Sequence, residues 1–225
     1  MSRIIAIRAE PSLTETIDAG RSLGLTIEPM PLFEIVPLAW SPPDPAEVDA
    51  LLVGSVNTFR HGGEGLQAFR DKPVYAVGQR TADEARACGF TVAYAGDSGL
   101  QRVLDILPPP MRFLRIGGEE RVEVTPKERH TLVQRACYRV EPLAIRDSQA
   151  SLLQGGGMIV LLHSAAAARH FASECDRIGI LRSDLALAAI APRVAGAAGS
   201  GWVRIEIAGS PRDDALLALA RDMCH

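Results

Sequence analysis

The chain has 225 residues, 47% hydrophobic and 23% charged, which is ordinary for a globular protein and enough for one large or two small cores. A formal net charge of −3 and an aromatic content of 5% exclude a basic, base-stacking surface, so nucleic acid is not expected as a partner. The apolar runs are short and broken by Gly, Pro or charge, well below the roughly 20 residues a membrane helix needs, and MSRIIAIRAEPS lacks the apolar core and cleavage site of a signal peptide, which makes the cytoplasm the expected compartment.

In chain order, Ile4 to Arg8 reads as a strand, and Leu13, Ile17 and Leu23 follow at helical spacing until Gly24. Thr26 to Trp40 reads as extended, with prolines at 29, 31 and 37 that keep it from being a central strand throughout. The stiff loop Ser41 to Pro45, SPPDP, marks a boundary. Beyond it come a strand at Ala50 to Val53, a helix at Ser55 to Phe69 with a Gly-rich irregularity at His61 to Gly65, and a strand at Val74 to Val77. Thr81 to Cys88 is a short helix closed by Gly89, and Thr91 to Ala95 a strand. Asp97 or Ser98 then caps a helix carrying Leu100, Val103, Leu104 and Leu107. Arg112 to Ile116 and Cys137 to Ala144 read as strands flanking a polar segment. Met158 to Leu162, Ala165 to Ile178, Leu185 to Ala191, Val194 to Ala198, Val203 to Ala208 and Asp213 to Met223 then alternate strand and helix. Strand runs without polar alternation, separated by helices, predict an α/β protein with parallel sheets covered on both faces.

The chain also repeats itself. Val74 to Asp97 (VYAVGQRTADEARACGFTVAYAGD) answers Leu187 to Ser210, and LLVGSVNTF at Leu51 to Phe59 answers VLLHSAAAA at Val160 to Ala168, aligning Ser55 with Ser164. Ile4 to Arg8 followed by Pro31 to Ala39 answers Arg112 to Ile116 followed by Cys137 to Ala144. Two lobes are expected, and the repeat alone cuts the chain near Pro110.

Ligands of open parallel sheets bind beyond the carboxyl ends of the strands, where turns lead into helix amino termini and backbone N–H groups point outward. That rule nominates the turns Arg8 to Pro11, Gly54 to Asn57, Gly78 to Thr81, Gly117 to Glu119, His163 to Ala165 and Ala191 to Arg193. Either they merely cap helices, or as a set they suit a ligand with several carboxylates or phosphates. Gly62-Gly63-Glu64-Gly65 lacks the features of a dinucleotide or Walker loop, and no GxSxG elbow is present. His163 reads as a strand-end side chain, His61, His130, His170 and His225 as solvent-exposed imidazoles without metal-ligand spacing, and Cys88, Cys137, Cys175 and Cys224 as small buried hydrophobes without CxxC, so no metal is expected. Glu119-Glu120 and Asp213-Asp214 read as solvated carboxylates at helix starts. Tyr138, on an extended connector, is either a packing residue or a phenol able to donate a proton to a leaving group.

IIAIRAEPS with LGLTIEPMPLFEIVPL, then LLVGSVNTF, VYAVGQRTADEARACGF, FLRIGGEERVE and ACYRVEPL together resemble the uroporphyrinogen-III synthase (HemD) family. The most specific piece is VYAVGQRTA with a following Gly-Phe, similar to the family's VG-x-x-TA signature; the carboxyl half matches in layout more than in residues. The resemblance implies two flavodoxin-like parallel-sheet domains joined by a two-stranded connector, with an inter-domain cleft. It divides the chain into 1–34 plus 143–225, 45–135, and connector strands at 35–44 and 136–142. It implies a cofactor-free, monomeric lyase acting on hydroxymethylbilane, a linear tetrapyrrole with eight carboxylates. Water is lost to give an azafulvene cation, ring D is attacked through its substituted position to form a spiro pyrrolenine, and the macrocycle closes with ring D inverted.

By the same resemblance Tyr138 assists departure of water, Ser55, Gly78, Thr81 and Gly118 match cleft-facing turn positions, and Arg8 matches the arginine after the first strand. Asn57, Gln79, Ser164 and Arg193 are expected as further substrate contacts from the nominated turns, although His163-Ser164-Ala165 departs from the family's pattern. Arg193 stands at a turn, Pro192-Arg193-Val194, without the hydroxyl residues often seen there, and would pair with an acetate or propionate. Two other readings stay open: a catalytically silent relative that binds a tetrapyrrole or regulates the pathway, and an unrelated two-lobed small-molecule binder.

Overall fold

The computed structural model describes residues 3–96 and 99–224; the expected cap at Asp97 or Ser98 lies outside them, as does His225. The chain divides into unit 1, Met1–Glu34 with Glu141–His225, and unit 2, Ile35–Val140.

Unit 1 is built on the parallel strands β1 (Arg3–Ala6), β2 (Ile27–Pro29), β9 (Met158–Leu162), β10 (Leu185–Ala189) and β11 (Arg204–Ile207), in the order β11-β10-β9-β1-β2. Every residue of β9 and β10 is buried, which explains their uninterrupted apolar sequence. One face of the sheet is covered by α6 (Asp147–Gln154), α7 (Ala165–Ile178) and α8 (Pro192–Ala198), with Leu153, Phe171, Cys175 and Val194 in the core. Phe171 stacks on Trp202, ring centroids 5.6 Å apart. The other face packs Leu13 of α1 (Ser12–Ser22) and Leu216, Leu217 and Ala220 of α9 (Asp213–Asp222). Ser164 caps α7 by accepting the Ala167 N–H at 3.1 Å, and Gly179 closes that helix at φ 71°, a conformation that favours glycine.

Unit 2 carries β4 (Ala50–Val53), β5 (Val74–Val77), β6 (Val92–Gly96), β7 (Arg112–Gly118) and β8 (Thr131–Pro142), parallel where they pair. With β3 (Phe33–Pro37) they form a sheet of order β3-β8-β7-β4-β5-β6. Leu38 N donates to Cys137 O at 2.9 Å beside β8. The helices α2 (Asn57–His61), α3 (Gly63–Gln67) and α4 (Gln79–Ala87) cover one face through Phe59, Leu66, Ala82 and Ala85. On the other face Val103 and Leu104 of α5 (Gly99–Ile106) pack on Ala50, Leu52 and Phe113.

The strand orders explain the repeat. β8-β7-β4-β5-β6 and β2-β1-β9-β10-β11 are one arrangement entered at different points by the chain, with Leu51 of β4 paired to Val74 and Val160 of β9 to Leu187. A cut near Pro110 would sever β7 from β4, its partner within unit 2, because the first strand of the chain pairs with β9 and not with β4. The first strands also align one residue differently from the sequence match. Ile5 pairs with Val160, while Leu114, not Phe113, pairs with Leu51. A one-residue shift exchanges the faces of a strand, so Ala6 corresponds to Arg115.

Several expectations are corrected. The strand expected from Cys137 begins at Thr131, and α6 was not foreseen. Three histidines are not solvated: His130 is buried and its Nδ1 accepts the Met111 N–H at 3.1 Å, His170 Nε2 lies 2.8 Å from Leu143 O, and His61 is half-buried with its ring 5.9 Å from that of Tyr138. Cys137 and Cys175 are buried, but Cys88 and Cys224 only half so. No helix among the described residues is long and apolar enough to cross a membrane.

Candidate functional site

In each sheet the chain reverses its direction of progress beside its first strand, leaving a crevice at the carboxyl ends between β4 and β7 in unit 2 and between β1 and β9 in unit 1. In unit 2 that position opens into a cavity of about 490 Å³, lined among others by Gly54, Ser55, Gly118, Arg115, Arg121 and Tyr138. The size falls within the range of about 300–1,000 Å³ usual for small-molecule sites.

A β-bulge aims Tyr138. Gly117 pairs with Ala136, but Gly118 pairs with Tyr138, so Cys137 is the extra residue and its thiol contacts Gly117 O at 3.6 Å. Bulges re-aim side chains in this way. The phenol ring lies so close over Gly118 that a Cβ there would stand 3.0 Å from Tyr138 Cε2 and 3.3 Å from its hydroxyl. Tyr138 is 7% exposed. Burial pushes its phenol above the usual value of 10.0, and hydrogen bonding to the Ser55 side chain and the Gly118 backbone opposes that rise. The group is therefore a neutral proton donor at neutral pH, with two partners that favour its anion. Ser55 also accepts the Asn57 N–H at 3.2 Å, ordering the turn into α2.

The other unit 2 candidates are placed nearby in sequence but do not line the cavity. Asn57 is the first residue of α2 and half-buried. Gly78 precedes α4 at φ 83°, its N–H bonded to Gly96 O. Gln79 is exposed and donates to Asp83 at 2.8 Å, and Thr81 is buried on the inner face of α4.

In unit 1 the crevice holds a charged cluster. Arg8 Nη1 donates to Asp213 Oδ2 at 2.9 Å and to Thr16 Oγ1 at 3.0 Å. His163 Nε2 sits 3.0 Å from Asp213 Oδ1 without the alignment of a hydrogen bond, and its buried Nδ1 has no hydrogen-bond partner among the described residues. Burial holds the His163 imidazole below its usual value although Asp213 opposes this. Burial alone would raise Asp213, but His163, Arg8 and Thr16 bring its carboxyl down to about 2. The pair is thus neutral imidazole beside ionised carboxylate, and the expectation of a solvated Asp213 is corrected; Asp214 is exposed and pairs with Arg212. Arg8 already has a counter-ion. Ser164 is exposed and engaged as the α7 cap, and Arg193 is exposed in the first turn of α8.

Sequence reasoning missed Arg115 and Arg121. The signal was present: Arg115 is a charge inside the apolar strand run FLRIGG, a position where charges are rarely buried without purpose. No group of acidic, His or Cys side chains among the described residues is arranged to hold a metal ion.

Comparison with known proteins bears on family and fold. The family model described as uroporphyrinogen-III synthase HemD matches residues 14–218. No curated protein sequence matches the chain. A uroporphyrinogen-III synthetase from Helicobacter pylori 26695 superposes with a TM-score of 0.69 at 17% identity, covering 99% of this chain and 100% of that one. A mutant uroporphyrinogen III synthase from the extremely thermophilic bacterium Thermus thermophilus superposes at 0.54 with 15% identity, covering 99% and 98%. At these identities the likeness is one of fold.

Proposed function

The chain belongs to the uroporphyrinogen-III synthase family, and from that membership we propose that it cyclises hydroxymethylbilane to uroporphyrinogen III as a lyase that needs no cofactor. The observation that carries the proposal is the Tyr138 phenol, buried over Gly118, touching Ser55 and lining a cavity at the crevice of unit 2.

The chemistry asks little of side chains. The phenol donates its proton to the hydroxyl of the hydroxymethyl group as the C–O bond breaks, so water leaves and the electron pair of the pyrrole nitrogen stabilises the resulting azafulvene cation. Ser55 and the Gly118 backbone hold the transient phenolate. Attack by ring D through its substituted carbon, fragmentation and reclosure invert that ring, and the proton released on closure restores the phenol. Most of the remaining barrier is entropic: the two ends of a flexible octacarboxylate must be held together, which strand-end amides and a few cations accomplish. Among the expected contacts, Ser55 and Gly118 act at the reacting end, Asn57, Gly78, Gln79 and Thr81 order the neighbouring turns of unit 2, and Ser164 and Arg193 present an amide turn and a cation from unit 1. Arg8, neutralised by Asp213, orients the β1 turn more than it attracts anions.

Incubating the purified protein with freshly prepared hydroxymethylbilane and separating the oxidised porphyrin isomers tests the proposal. The type III isomer is expected; type I alone, the product of spontaneous closure, would overturn it.

A further inference from the structure

The crossover from β7 to β8 is built unlike its counterpart in unit 1. Between β1 and β2 the chain forms α1, and Ala6 is fully buried in the core that α1 shares with α9; between β7 and β8 residues 119–130 form no helix. Parallel strands are usually joined through a helix, and its absence leaves the cavity on that face of the sheet. At the position corresponding to Ala6 stands Arg115, 5% exposed, on the same strand face as Phe113. Its Nη2 donates to Val122 O at 2.7 Å and its Nη1 to Gln134 Oε1 at 3.2 Å, both neutral acceptors. No carboxylate among the described residues forms an ion pair with it.

A buried guanidinium without a counter-ion is costly. Burial and the neighbouring charge of Arg121 both press it toward losing its proton, against the weaker field of Glu123. Arg121, half-buried, lines the same cavity and donates to Arg135 O at 3.0 Å. Glu120 and Glu123 also border it but are exposed, so water screens them while Arg115 acts from a less polar floor. A guanidinium has five N–H donors in a fork that fits a carboxylate, and the two neutral acceptors leave donors free.

We propose that Arg115 and Arg121 make the cavity of unit 2 a carboxylate-binding recess that takes an acetate or propionate arm of a pyrrole beside Tyr138. That the carboxylate is the arm of a pyrrole rests on the synthase reading; the carboxylate-binding recess does not. Its occupant supplies the counter-ion that Arg115 lacks, and seats one ring of the substrate against the proton donor.

The test is calorimetric titration of a monopyrrole bearing one acetate and one propionate arm into the full chain, with steady-state kinetics on hydroxymethylbilane alongside. Arg115→Gln should weaken monopyrrole binding at least about tenfold, the loss expected for a charge-assisted hydrogen bond, and raise KM for hydroxymethylbilane more than it lowers kcat; Arg115→Lys should restore part of the affinity. Unchanged affinity in folded Arg115→Gln would overturn the proposal. If that variant does not fold, Arg121→Gln decides: several-fold weaker binding supports the recess, and unaltered binding overturns it. A wild-type protein inactive toward hydroxymethylbilane that still binds the monopyrrole through Arg115 would leave the recess standing and the synthase reading fallen. A wild type active toward hydroxymethylbilane that does not bind the monopyrrole would do the reverse.

Discussion

Two carboxylates of unit 1, Glu174 and Asp213, are held ionised well below their ordinary range. Glu174 is brought to about 2 chiefly by Arg177, whose Nη2 donates at 2.6 Å, helped by the Ile145 N–H at 2.7 Å. A folded value below the unfolded one stabilises the native state above about pH 4, and that contribution is lost as pH falls toward about 2. The urea midpoint should therefore drop between pH 6 and pH 3 by less in Glu174→Gln than in wild type; equal drops would contradict the assignment. Tyr138 titrates in the opposite sense: burial raises it, so the kcat profile should show no alkaline limb from this group below pH 10. An alkaline limb near pH 8 that disappears in Tyr138→Phe would refute the description of its setting. Gly118→Ala should lower kcat about tenfold with a smaller effect on KM, because the added Cβ displaces the phenol ring; unaltered kcat would show that the ring position is unimportant.

At the scale of elements, the repeat between 74–97 and 187–210 was legible because strand and helix periods survive divergence, and β4, β5, β9 and α7 fall where the apolar runs place them. The one-residue offset of the first strands was not legible, since β1 and β7 are buried on both faces and an apolar run carries no marker of which face a residue takes. The place of Tyr138 on the connector marks it as a candidate, but the bulge that aims it depends on pairing between β7 and β8, and no local signal in Ala136-Cys137-Tyr138 announces it. The buried state of His130 likewise involves residues distant in the chain, among them Phe113, whose ring lies 5.4 Å away. The missing crossover helix has a measurable consequence. In the 119–130 segment the backbone bonds are sparse, with Glu119 N to Tyr138 O and His130 N to Lys127 O among them, whereas α1 is a regular helix. Hydrogen exchange over 119–130 should run orders of magnitude faster than over 12–22, and comparable protection of the two would contradict the account of this crossover.

For the molecule as a whole, two sheets of one topology entered at different points of the chain each present a crevice, and the crevices have diverged. That of unit 1 holds the cluster of Arg8, Asp213 and His163, while that of unit 2 holds a cavity, a phenol and two arginines. The chemical step proposed for Tyr138 belongs to the crevice of unit 2, and it leads to a direct measurement. Ring closure without a catalyst gives the type I isomer, so the isomer ratio reports whether departure of water is accelerated faster than substrate is lost to solution. With equal amounts of folded protein and freshly prepared hydroxymethylbilane, wild type should yield predominantly type III. Tyr138→Phe, its kcat lowered about 10²-fold as for loss of a general acid, should yield predominantly type I at similar KM. Type III formed at the wild-type rate by Tyr138→Phe, or type I alone from the wild type, would contradict the account.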